Sequence, residues 1–237
     1  MGLLQDTNWV VIIPFTVPGD KVLARIYQNQ TTHSQADLVK VLEPSDHRDD
    51  TLIKCRYFGK CSGCQLQMLS YDDQLDYKRN AIVKAFRRYF GSESTIVPQI
   101  DHTHPSPLQY GYRTKITPHF EVPRSKGKEG PGEMPDTIGF VEKGRKRILD
   151  IEECVIATRS LNLGFAKERE RVKEAHFKRG ATLLLREADD PNAASTDTKA
   201  PPKRCVTDHN EVISEHVNEY KFEFPAGILS SMQLMLI

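Results

Sequence analysis

Apolar and polar positions follow two different periods along this chain of 237 residues. Near the start the period is close to two, as in strands. Trp9-Val-Val-Ile-Ile-Pro14 is a short apolar run of β-branched residues, and Lys21–Tyr27 and Ala36–Leu42 roughly alternate. Val17-Pro-Gly-Asp20 carries turn chemistry between them. Strands this short and close predict a small β-barrel over residues 1–54.

The period then changes to that of a helix. Tyr71, Leu75, Ile82, Phe86 and Tyr89 or Phe90 share one face of a helix over residues 71–90. Ser70 with Asp73 reads as a capping box, and Gly91 as its stop. Beyond it, Tyr110–Pro118, Thr137–Val141, Arg147–Ile151, Ala181–Arg186 and Tyr220–Pro225 are strand-like, and residues 155–178 are helical. Glu142–Lys146 reads as a hairpin connection. Residues 121–136 read as a loop and 187–203 as a disordered insertion, from their Gly, Pro and charge content. The predicted class is α+β: a small barrel, then an antiparallel sheet domain with helices over residues 55–227.

Composition changes this picture little. Lys plus Arg number 33 and Asp plus Glu 32, so bulk charge does not argue for nucleic acid and any such affinity rests on local patches. One patch is the polar side of helix 71–90, with Lys78, Arg79, Lys84, Arg87 and Arg88. It reads either as a solvated face or as a phosphate-contacting one. No apolar run has the length of a membrane span, and there is no secretory signal. The expectation is an intracellular, non-secreted protein with no membrane partner.

Cysteine carries the candidate chemistry. Cys55, Cys61 and Cys64 fall at C-x5-C-x2-C spacing on a Gly- and Ser-containing stretch. Thiols that close are metal or cluster ligands more often than packing residues. Cys154 is the best candidate for a fourth ligand, and Cys205 is left over in a Pro/Lys/Arg stretch. Zinc and an iron–sulfur cluster both accept four thiolates, and the spacing alone leaves both open. Five cysteines is an odd count, which argues against a disulfide framework. His102 and His104 lie in a Pro-rich loop, and His209 has no carboxylate at useful spacing, so neither reads as a metal site.

At these residues a family resemblance becomes specific. Cys55, Cys61, Ser62, Gly63, Cys64, Gln67, Tyr71, Gln74, Leu75 and Lys78 resemble the iron–sulfur motif of RNA uracil-C5 methyltransferases, which make 5-methyluridine in tRNA and rRNA. Asp150-Ile-Glu-Glu-Cys154 matches the acidic stretch that holds that family's fourth ligand. Tyr112, Arg113 and Lys115 match its Tyr-Arg-x-Lys/Arg strand. The resemblance implies a [4Fe–4S] cluster on Cys55, Cys61, Cys64 and Cys154. It implies a TRAM domain for the barrel, an OB-like fold whose first strand this chain retains at most as Met1–Leu4, and tRNA or rRNA as partner; a barrel cut there exposes an unpaired edge. Arg113, Lys115, Arg145, Lys146 and Arg147 then join the helix cations around an RNA backbone.

The same resemblance implies a catalytic domain that binds S-adenosylmethionine, where a cysteine attacks uracil C6 before methyl transfer to C5. No Gly-rich strand–turn–helix and no family-like catalytic cysteine is present in these residues. Phe222–Gly227 resembles the segment just before the family's Phe-Phe-Gln motif, after which residues 228–237 diverge. The resemblance covers roughly residues 7–227. The reading is therefore the RNA-binding, iron–sulfur part of such an enzyme, ending before its catalytic domain and inactive alone. Its rivals are a non-catalytic RNA-binding module with a structural cluster and a zinc-stabilised scaffold.

Overall fold

Early alternation does become strands. The computed structural model describes residues 2–91, 98–122, 132–192, 202–217 and 220–227. They divide into two units, residues 1–107 and 108–237. In the first, strands β1 (Gly2–Leu3), β2 (Val10–Ile12), β3 (Lys21–Asn29) and β4 (His33–Glu43) form one sheet in the order β1-β2-β4-β3. Gly2–Leu3 thus form a real strand, with Leu3 paired to Val10. The β2–β4 pair is parallel and the β3–β4 pair antiparallel with register shifts.

The turn between β2 and β3 is fixed by Asp20. Its carboxylate accepts from the N–H groups of Val17 and Ser45, both at 3.0 Å, and from Arg48 at 2.9 Å. Gly19 has φ +96°, and a Cβ there would lie 2.9 Å from Ser45 Oγ, so glycine is required on both counts. Helix α1 spans Tyr71–Phe90, as its periodicity predicts. Ser70 Oγ accepts from Asp73 N at 3.1 Å, and Gly91 N donates to Arg87 O at 3.0 Å. The apolar stripe is less covered than its pattern suggests. Among the described residues none on α1 is buried, and Ile82 is 50% exposed.

The second unit is built from short antiparallel pieces. Strands β5 (Lys115–Ile116), β6 (His119–Glu121), β7 (Thr137–Val141) and β8 (Ile148–Asp150) precede helix α2 (Arg159–Lys173). After it come β9 (Ala181–Thr182), β10 (Leu185–Asp189), β11 (Lys203–Val206), β12 (Val212–Val217) and β13 (Tyr220–Pro225). The sheet orders are β8-β7-β6-β9, β11-β10-β5 and β12-β13. The whole is a mixed α+β fold. Leu161, Phe165 and Val172 of α2 are fully buried, as is Ile138 of β7.

Three expectations are corrected. The helix expected over 155–178 is shorter, because Cys154–Ala157 forms a turn (Ala157 N to Cys154 O, 3.0 Å) and Thr158 caps the start. The strand expected over Ala181–Arg186 is two strands in different sheets. Leu183 N donates to Pro118 O between them. The insertion expected at 187–203 is partly ordered: β10 runs on to Asp189, which pairs with Lys203 of β11, and Asp190 N donates to Pro202 O at 2.8 Å. The remainder of that insertion, most of the loop at 121–136 and the divergent tail at 228–237 lie outside the described residues.

Candidate functional site: the cysteine loop and its basic surroundings

The cysteine loop of the first unit hangs from a closed base. Arg48 bridges Leu69, and Asp49 N donates to Met68 O at 2.9 Å, so both ends of the loop are pinned together. Met68 and Leu69 are buried with Val17, and Ile53, Phe58 and Leu66 pack on them. The Phe58 ring meets Phe15 edge-on at 5.2 Å. These contacts anchor the apolar residues of the loop and leave its cysteines half-buried.

Within the loop, backbone turns set the three cysteines. Phe58 N donates to Cys55 O at 3.0 Å, and Cys61 N to Tyr57 O at 2.9 Å. Gly59, with φ +85°, makes the reversal between them. Gly63 N donates to Cys61 Sγ at 3.5 Å. Gln67 lies at the loop's return, only 7% exposed. Its Oε1 accepts from Lys54 N and Cys55 N, each at 3.1 Å, while its Nε2 is buried with no partner.

Cys154 lies in the second unit, just after β8. Its N–H donates to Asn162 Oδ1 at 2.9 Å, and Asn162 Nδ2 donates back to Cys154 O at 3.1 Å. Asn162 therefore holds this cysteine from the first turns of α2, a role the sequence pattern did not single out. No disulfide joins any of the five cysteines. Among the described residues, no three His, Cys, Asp or Glu side chains converge as a metal site.

Cys205, left over in a Pro/Lys/Arg stretch of the sequence, is a strand residue. It sits in β11, paired opposite Glu187 of β10, with its sulfur against Gly164 of α2. Burial pushes its thiol up to about 11, and the carboxylates of Glu168 and Glu187 add to the shift. The thiolate is the reactive form, so at neutral pH this sulfur is nearly inert. Native protein is expected to alkylate with iodoacetamide at Cys205 roughly two orders of magnitude more slowly than unfolded protein. Peptide mapping over time checks this, and equal rates in the two states would contradict the placement.

The basic candidates do not share one fate. On α1, Lys78, Lys84, Arg87 and Arg88 are exposed. Arg79 is committed to structure: Nε and Nη2 donate to Ile100 O at 3.0 and 2.8 Å. Arg113 is exposed but its strand segment bridges Ala157. Lys115 is half-buried in β5, and burial followed by the Arg186 charge lowers its pKa. Arg145 and Lys146 are exposed, whereas Arg147 pairs with Glu142 across the β7–β8 turn.

A polar cluster on β10 and β12 was not foreseen. Asp189, 5% exposed, accepts from His216 Nδ1 at 2.6 Å and from Lys203 Nζ. Arg186, 2% exposed, lies 3.5 Å from Glu215 and over the Phe224 ring at 4.5 Å. Burial pushes the Glu215 carboxyl up, with Arg186 opposing. The signal was the alternation Val212-Ile-Ser-Glu-His-Val217, a strand pattern beside the expected insertion.

The comparisons with known proteins now decide the family. The chain is 48% identical over 230 residues to the tRNA (uracil(54)-C(5))-methyltransferase of Schizosaccharomyces pombe, covering 96% of this chain and 41% of that protein. It belongs to the RNA uracil-C5 methyltransferase family. The Saccharomyces cerevisiae tRNA (uracil(54)-C(5))-methyltransferase is 39% identical over 267 aligned positions, with 94% and 41% covered. The chain thus spans about two fifths of the length of the curated relatives it matches. No family model matches it. The fold resembles the crystal structure of Pyrococcus abyssi tRNA (uracil-54, C5)-methyltransferase in complex with S-adenosyl-L-homocysteine. The TM-score is 0.52 at 21% identity, covering 95% of this chain and 56% of that one. As a family member, the chain has no helix among its described residues long and apolar enough to cross a membrane.

Proposed function

We propose that this chain forms the RNA-docking, iron–sulfur portion of an S-adenosylmethionine-dependent tRNA (uracil-C5-)-methyltransferase. The observation that carries the reading is 48% identity spread over 96% of the chain to an enzyme of that name. A relationship of that length extends through both units, so tRNA is the partner and the target is a uracil ring. In the whole enzyme the nucleophile that adds to C6 comes from elsewhere than Cys205, whose sulfur is held between β11 and α2. The TRAM reading of the β1–β4 sheet belongs to the same proposal.

Cys55, Cys61, Cys64 and Cys154 would hold a [4Fe–4S] cluster. What supports it is the match of these four cysteines to the family's motif, with a backbone N–H already directed at one sulfur. When bound, the cluster supplies a covalent tie among its ligand segments. Asn162 orients the Cys154 backbone for that role, and the Arg48–Leu69 closure orients the loop.

RNA contact is assigned to six of the exposed cations. Lys78, Lys84, Arg87 and Arg88 line the polar side of α1, with Arg145 and Lys146 in the β7–β8 turn. Phosphate contacts release counterions, so affinity for unmodified tRNA should fall steeply with salt. Arg87→Glu with Arg88→Glu should weaken binding to all RNAs alike. It should flatten the plot of log affinity against log salt by about one to two units. Filter binding across a salt series reads this, and salt-insensitive binding would reduce the patch to a solvated face. Arg79→Ala should instead act on stability, since its guanidinium is already used by Ile100 and Asp101.

A further inference from the structure

We propose that the aromatic end of α1 is a stacking platform for an unpaired base of the tRNA, with Tyr89 as its outermost ring. The proposal rests on the reading of tRNA as the partner. The two halves of α1 are covered differently. Along the first half the segment from Ile100 to Ser106 is tied to the helix. Tyr71 Oη accepts from Ser106 N at 2.7 Å, Leu75 O accepts from Thr103 Oγ1 at 2.9 Å, and Arg79 Nη2 donates to Ile100 O at 2.8 Å. Apolar positions of the second half stay open to solvent: Ile82 is 50%, Phe90 47% and Tyr89 87% exposed. Exposed rings grouped in this way mark a contact surface, whereas scattered ones do not.

The rings are braced against one another. Phe86 and Phe90 lie nearly parallel with centroids 5.9 Å apart, and Tyr89 meets Phe90 edge-on at 5.6 Å. Rings already ordered by their neighbours lose little freedom on binding. The charge around them selects the occupant. From Tyr77 to Gly91 the helix carries Lys78, Arg79, Lys84, Arg87 and Arg88 and no carboxylate. Lys84, Arg87 and Arg88 recur at helical spacing, and all three are exposed on the same turns as the rings. A second copy of this surface would bring like charges together. A single-stranded nucleic acid instead supplies phosphates to the cations and base faces to the rings, a pairing that tolerates any base. Only an unpaired base offers such a face, because a duplex keeps its bases stacked inside. The end of α1 therefore adds a grip on loop nucleotides to the salt-sensitive hold of Arg87 and Arg88.

Fluorescence anisotropy of the full chain tests this with three probes: unmodified tRNA, oligouridylate, and the same strand paired with oligoadenylate. Tyr89→Ala should lose about tenfold in affinity for tRNA and for the single strand, and nothing for the duplex. Its plot of log affinity against log salt should keep the wild-type slope, because stacking releases no counterions. Tyr89→Trp should bind as well as wild type, and Tyr89→Leu as weakly as Tyr89→Ala. Tyr89 is at the surface, so these variants should fold, and circular dichroism checks that they do. Salt-sensitive tRNA binding that is unchanged in Tyr89→Ala, or full rescue by Tyr89→Leu, overturns the platform alone. A dimer of the wild type that Tyr89→Ala dissociates, seen by sedimentation without RNA, makes the rings a contact between copies and also overturns it. No tRNA binding by wild type at low salt overturns the platform and the docking reading together.

Discussion

Arg169→Ala is expected to destabilise the second unit by about 1–3 kcal/mol, the range for leaving buried hydrogen-bonding groups without their partner. Arg169 is 6% exposed and ties α2 to the β7–β8 hairpin. Nη1 donates to Ile151 O at 2.7 Å, to Asp150 Oδ1 at 3.0 Å and to Ile138 O, while Nη2 donates to Asp150 Oδ2 at 3.0 Å. Truncation leaves two buried carbonyls and a carboxylate without their donor. Urea denaturation of wild type and variant checks the size, and a change under 1 kcal/mol would contradict this placement of Arg169.

The same pair sets an acid limit. Burial alone would push the Asp150 carboxyl up, but the Arg169 and Ile138 hydrogen bonds and the Arg169 and Lys173 charges hold it below its ordinary value. The folded pKa is depressed relative to an unfolded value of about 3.9. The unfolded state therefore binds the proton first as pH falls. The stabilisation is complete above the unfolded value and is lost as pH drops through the folded one. Asp150→Asn should be less stable than wild type at pH 7 and should lose less on acidification. Asp150 is partly exposed, so its effect should be smaller than that of Arg169→Ala.

Cys154→Ser is expected to strip iron from the anaerobically purified protein and to lower its thermal midpoint. The binding free energy of a thiolate-held group becomes folding free energy of the segments that carry the ligands. Serine keeps the backbone that Asn162 brackets, so the change isolates the sulfur. Cys205→Ser should keep the iron, because that side chain faces Gly164 and α2. Metal analysis and calorimetry on both variants read the contrast. Stoichiometric zinc without iron would favour the zinc-stabilised scaffold instead.

Local signals account for what could be read in advance. Ser70, Asp73 and Gly91 fixed the bounds of α1, because caps act within a turn and need no tertiary information. The β7–β8 hairpin was legible for the same reason, with strand-like runs on both sides of Glu142–Lys146. Ala181–Arg186 was misread because its pattern is continuous while its partners are not: His119 pairs with Thr182 and Ile116 with Leu185. Cys205 looked left over because its partners, Gly164 and Glu187, are distant in sequence. Among the candidate cations, exposed and committed side chains are indistinguishable by composition. Only the carbonyls of Ile100 and Asp101 remove Arg79 from the docking face. The motif placed Gln67 in the loop, but the unpaired amide nitrogen is a property of the folded site.

A chimaera tests the central claim most directly. This chain would replace the matched portion of the Schizosaccharomyces pombe tRNA (uracil(54)-C(5))-methyltransferase, in a strain lacking that enzyme. The quantity measured is 5-methyluridine in purified tRNA, by mass spectrometry of nucleosides. The account predicts that the modification returns, that it persists with Cys205→Ala, and that it falls with Arg87→Glu and Arg88→Glu. A chimaera that is folded and binds S-adenosylmethionine yet leaves tRNA without 5-methyluridine would contradict it.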